Sequence, residues 1–101
     1  MNKSTVEIYS DADNNGVVRM PKRNYLGSVI QGDALFLLHG DAMDLLEELK
    51  HNPGSYVFYK AYSVAKSLED RLNHYIDVCS QSDIRLDFRI ECSVYDYDEP
   101  I

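Results

Sequence analysis

The sequence predicts an α+β fold of order β-β-β-α-α-β: an N-terminal β-hairpin with a third short strand, an antiparallel two-helix hairpin, and a C-terminal strand joining a mainly antiparallel sheet. Three observations carry this. Between residues 33 and 79 apolar side chains recur at three- and four-residue spacing, broken once by Asn52-Pro53-Gly54, which is the period of two amphipathic helices and a stop. From residue 84 the period changes to two, with Ile84, Leu86, Phe88, Ile90, Cys92 and Val94 alternating with Arg85, Asp87, Arg89, Glu91 and Ser93, the signature of a strand with one covered face. At 101 residues, 45% hydrophobic and with eight tyrosines, the chain is long enough for one modest core in one domain, and too apolar for disorder.

Each element has a local reason. Thr5 to Tyr9 alternate with Val6 and Ile8 on one side, a strand that the turn formers Asp11 to Gly16 connect to a second strand, Val17 to Met20. Pro21 removes a ladder donor and ends that strand. Leu26 to Ile30 reads as the third extended segment. Asp33 is placed to cap the first helix, whose apolar positions are Ala34, Leu35, Leu38, Ala42, Leu45, Leu46 and Leu49;. The second helix runs from about Ser55 to Cys79 with Phe58, Tyr62, Ala65, Leu68, Leu72, Tyr75, Ile76 and Cys79 as its stripe. The short stop between them predicts a helical hairpin. The chain closes on an acidic, aromatic tail, residues 95–101, expected to be free to fray.

Composition narrows the chemistry. Ten Lys+Arg against seventeen Asp+Glu give a net charge of −7, a poor match to phosphate backbones, so no direct nucleic-acid partner is expected. No apolar run has the length of a signal peptide or a spanning helix, which predicts a cytoplasmic chain with no membrane partner. Cys79 and Cys92 both fall on apolar stripes and are expected to be buried and inert. His39, His51 and His74 lack the spacing that sets two ligands on one helical face, so they are read as solvated or capping side chains and no metal is expected. Asp11-x-Asp13-x-Asn15-Gly16 matches the first half of a calcium loop, but Lys22 stands where the closing carboxylate belongs, and the segment is read as a polar turn. With no glycine-rich phosphate loop and no poised nucleophile, no enzymatic activity and no cofactor are expected.

Charge is unevenly distributed. Residues 33–54 hold five acids and one cation, and residues 83–101 six acids and two cations. Asp41, Asp44, Glu47 and Glu48 on the first helix, with Tyr95, Asp96, Tyr97, Asp98 and Glu99 in the tail, are therefore the candidate contacts for a basic protein partner. A smaller basic cluster surrounds Pro21.

Tyr9-Ser10-Asp11, Asn14 or Asn15, Val17, Arg19-x-Pro21-x-Arg23, Gly27 and Gln31-Gly32-Asp33 with Leu35 form a pattern, continued by His74-Tyr75 and Ile84-x-Leu86. In this pattern the chain resembles a family of small bacterial proteins of unknown function over most of residues 7–88. It departs from that family at Lys22, where glycine is usual, at Leu26, where proline is usual, and in the strand-like extension after Phe88. The resemblance implies no activity. It does imply that Arg19, Arg23, Gln31 and Asp33 form a structural or anion-binding corner.

Size, acidity and the missing catalytic groups together lead to the expectation of an immunity protein that neutralises a cognate basic toxin, such as a nuclease of a contact-dependent growth-inhibition system. A phage-type acidic inhibitor of a host nucleic-acid-binding complex and a small anion-binding regulatory domain are the alternatives.

Overall fold

The computed structural model describes residues 5–10 and 16–100. The order is β1 (Glu7–Ser10), β2 (Val17–Arg19), β3 (Gly27–Ser28), α1 (Gly32–Leu49), α2 (Tyr56–Gln81) and a 3-10 turn at Val94–Asp96, an α+β arrangement. Among the described residues no helix is long and apolar enough to cross a membrane. The backbone divides into two compact units, Met1–Gln31 and Gly32–Ile101.

The first unit is a three-stranded antiparallel sheet of order β1-β2-β3. Glu7 pairs with Arg19 and Ile8 with Val18, and the register shifts before Ser10 meets Val17. That register sets Arg19 beside two partners: its Nε lies 3.2 Å from Glu7 and its Nη2 donates to the Tyr9 hydroxyl at 2.9 Å. Lys22, in the turn after β2, has a φ of 65°. This is the left-handed region, where glycine carries no steric penalty and a side chain does. Asp11 to Asn15, the expected polar turn and half calcium loop, lie outside the described residues.

The second unit is built on the helical hairpin. Leu46 and Ala65 are fully buried in a core that α1 and α2 share, joined by Met43, Phe58 and Tyr62, and Leu72 is fully buried farther along α2. Leu38 and Leu45, expected on the apolar stripe, are 46% and 60% exposed because they sit on the shoulder of α1 rather than under α2. Ser55 caps α2, its Oγ accepting from Phe58 N at 3.0 Å;. At the other end Ile84 N donates to Cys79 O and Asp83 N to Ser80 O, with Asp83 at a φ of 58°. This reverse turn closes the last carbonyls as a Schellman motif does. Asp33, expected to flank α1, lies in its first turn and accepts from Ala34 N at 2.8 Å.

The expected C-terminal strand does not form. Residues 84–93 run without helix or strand and bend at Asp87 and Cys92. The period-two pattern is satisfied by a helix face instead: Leu86, Phe88 and Ile90 are half-buried while their neighbours face outward, and Phe88 stacks on Phe36 of α1 with ring centres 4.5 Å apart. Cys79 is buried as expected, whereas Cys92 is exposed, because the chain bends there to send Ser93 and Val94 inward.

Two glycines on α1 separate close packing from helix propensity. A Cβ on Gly32 would lie 2.2 Å from the Tyr75 ring, whereas one on Gly40 meets nothing within 4 Å. Gly32→Ala is expected to cost about 1–3 kcal/mol through forced repacking, and Gly40→Ala to gain about 1 kcal/mol through helix propensity. Urea unfolding followed by far-ultraviolet circular dichroism measures both.

Candidate functional site

The acids of α1 fall into two groups. Asp41, Asp44 and Glu48 are exposed and, among the described residues, have no ion-pair partner. Glu47 is paired instead: Lys50 Nζ lies 2.5 Å from Oε1 and the Tyr97 hydroxyl donates to Oε2. These two donors hold the Glu47 carboxyl below its ordinary range, Lys50 contributing more than Tyr97;.

Tyr97 reaches Glu47 because the chain just before it is anchored from inside. Glu69 of α2 is 1% exposed, and its carboxylate has three donors. His39 of α1, with its proton on Nε2, donates to Oε1 at 2.8 Å; Val94 N donates to the same oxygen at 2.8 Å; Ser93 Oγ donates to Oε2 at 2.5 Å. Val94 is itself completely buried. Ser93 Oγ in turn accepts from Tyr95 N at 3.1 Å, capping the 3-10 turn. Tyr95 then donates through its hydroxyl to Asp70 of α2, so the segment expected to fray is pinned to both helices.

These contacts retain the tyrosine protons. A hydroxyl that donates to a carboxylate would lose that bond on ionising, so Asp70 pushes Tyr95 up to about 12 and Glu47 pushes Tyr97 up to about 12;. Desolvation adds to both.

Between α1 and residues 86–92 runs an open groove of about 820 Å³, with Phe36, Met43 and Phe88 along its floor and Asp44, Glu47 and Tyr97 on its rim. Most of the acids named from sequence thus gather on the second unit: Asp44 and Glu47 on this rim, Asp41 and Glu48 on the adjacent outward face, and Asp96, Asp98 and Glu99 on the exposed tail. Of the residues named for the basic corner, Arg19 is held by Tyr9 and Glu7, Arg23 is exposed in the turn after β2 with its amide bonded to Met20 O, Gln31 is the last residue of the first unit, and Asp33 lies in the first turn of α1 in the second.

His39 is corrected from a solvated or capping side chain to a buried one, 4% exposed. Sequence reading also passed over Glu69. The signal was present: Glu69 shares the spacing of Tyr62, Ala65 and Leu72, and His39 that of Leu35, Ala42 and Leu46, so each is a polar residue on an apolar stripe, which implies a buried partner.

Removing the carboxylate tests the anchor. Glu69→Ala leaves buried donors without an acceptor and is expected to cost about 3 kcal/mol or more. Limited proteolysis should then cut after residue 92 in the variant and spare that stretch in the wild type. The tyrosines give a pH signature. Unfolded tyrosine ionises near 10.0 and native Tyr95 and Tyr97 near 12, so their contribution is complete below pH 10 and is lost as pH rises toward 12. Tyr97→Phe should flatten the fall in urea stability over that window, and absorbance at the tyrosinate band should show the late titration directly.

No curated protein and no solved structure matches this chain. The match to a family is clear over residues 1–88, ending at Phe88 and leaving the anchored tail beyond it. It covers the sheet, both helices and the Glu69–His39 pair, and it establishes that the chain belongs to the family of unknown function DUF6959.

Proposed function

We propose that this chain is an immunity-type inhibitor, which binds a basic, nuclease-like toxin of a bacterial competition system and neutralises it by stoichiometric occlusion. The hydrogen bond from Tyr97 to Glu47 supports this reading above all. It brings together two acidic stretches fifty residues apart, so the carboxylates of α1 and of the tail lie near one another on the second unit. Residues 33–101 carry fourteen acids against six Lys+Arg, a net −8. A groove that binds nucleic-acid phosphates presents lysine and arginine, and a carboxylate surface of this density competes for the same cations and steers the two proteins together. Tyr95 and Tyr97, already held by Asp70 and Glu47, offer contact area with little side-chain entropy left to lose.

The immobilised chain, exposed to lysate of the cells that encode it and washed at low and then moderate salt, is expected to retain one stoichiometric basic protein. That protein's nuclease activity should disappear on addition of one equivalent of the chain. Asp44→Lys with Glu48→Lys should weaken the complex at least about tenfold at low salt and make its salt dependence shallower. Unchanged affinity in the double variant, or a captured protein that stays active when saturated, would overturn the reading. Retention of a multi-subunit nucleic-acid-handling complex instead would favour the phage-type inhibitor.

A further inference from the structure

Residues 85–92 run without helix or strand along α1, and among the described residues no strand pairs with them. Among the described residues, no hydrogen bond reaches the backbone N–H or C=O groups of residues 85–92. Apart from the bends at Asp87 and Cys92 the side chains alternate as in a strand, with Leu86, Phe88 and Ile90 half-buried along the groove beside α1 and Arg85, Asp87, Arg89 and Glu91 exposed. An exposed edge of this kind is a template for strand addition.

The charge order selects the partner. Along the outward face the signs run plus, minus, plus, minus through Arg85, Asp87, Arg89 and Glu91. When such a segment is laid antiparallel on a second copy of itself with Phe88 on the two-fold axis, Arg85 falls opposite Glu91 and Asp87 opposite Arg89, each pair occurring twice. On the other face Leu86 falls opposite Ile90, Phe88 opposite Phe88, and Ile84 opposite Cys92. Every cross-strand pair is then either opposite in charge or apolar on both sides, which is the arrangement that stabilises antiparallel pairs. Moving the register by two residues in either direction sets like charges against each other. Ile84, 56% exposed, and Cys92, also exposed, are the apolar side chains that the single chain leaves uncovered at the two ends, and in this register they cover one another.

We infer that residues 84–92 form a self-complementary strand through which two copies of this chain associate as an antiparallel, two-fold β-ribbon centred on Phe88. The interface is isologous and closes on itself, so it yields a dimer and not a filament. It uses the edge of the segment and leaves the outward acids of α1 free, so it stands independently of the proposed toxin partner.

Charge exchange tests the interface, and a cross-link tests its register. Arg85→Glu with Arg89→Glu makes the outward face wholly acidic, and Asp87→Arg with Glu91→Arg makes it wholly basic. All four side chains are exposed, so the helical circular-dichroism spectrum should be unchanged. In sedimentation equilibrium the wild type is expected to dimerise, each double variant alone to self-associate at least about tenfold more weakly, and an equimolar mixture of the two to recover the dimer. Ile84→Cys should give a covalent dimer under mild oxidation, through Cys92 of the second copy. A wild type that stays monomeric to high micromolar concentration would overturn the inference, as would double variants that dimerise like the wild type. Failure of the mixture to recover would overturn the charge pairing, and absence of the Ile84→Cys cross-link would overturn the antiparallel register.

Discussion

The carboxylate of Glu69 is the constraint on which the second unit depends. Burying an ion costs several kcal/mol in desolvation, and the cost is offset only when its lone pairs are filled with good geometry. Here three donors from two separate places in the chain fill them: His39 from α1, and Ser93 with Val94 from the C-terminal segment. A leucine at this position would pack between the helices, but it would not specify where residues 93 and 94 must stop. The carboxylate does, because hydrogen bonds to a charged acceptor are short and directional. Val94 follows into the core, and the Ser93 hydroxyl, fixed by Glu69, caps the turn that carries Tyr95.

Two tyrosines then extend that anchor across the surface. A tail carrying Asp96, Asp98 and Glu99 would be repelled by the acids of α1 and α2 if charge alone decided its position. Tyr95 and Tyr97 reverse the outcome by presenting neutral hydroxyl donors to Asp70 and Glu47. The shifts of both partners agree with this account. Glu47 is held in its charged form by Lys50 and Tyr97, and both tyrosines are held in their neutral form. The acidic surface is therefore a product of donors placed among acids, and these donors are on the surface only because Glu69 is in the interior.

The two stretches with strand character solve their pairing differently. In the first unit β2 is flanked on both sides, and the cross-strand neighbours Glu7 and Arg19 neutralise each other with Tyr9 between them. Residues 84–92 have the stronger alternation and, among the described residues, no flanking strand; their apolar side rests on α1 through the Phe36–Phe88 stack. Alternation reports that one side of an extended segment is covered, and a helix face covers it as well as a sheet layer does.

Local sequence determined a good deal of this protein. The helices lie within about two residues of their expected limits, since capping by Ser55, the Asn52-Pro53-Gly54 stop and the spacing of the leucines are all short-range effects;. Three short strands were also legible, from alternation and the turn formers between them;. The acids of α1 and the tail could be named, though not their convergence. Tertiary structure alone decided the role of Glu69, the burial of His39, the exposure of Cys92 and the layer on which residues 84–92 lie. The partners of Glu69 lie 24 to 30 residues away in the chain, and Phe36 and Phe88 are farther apart still. Periodicity states that a side is covered, and only the folded chain supplies what covers it.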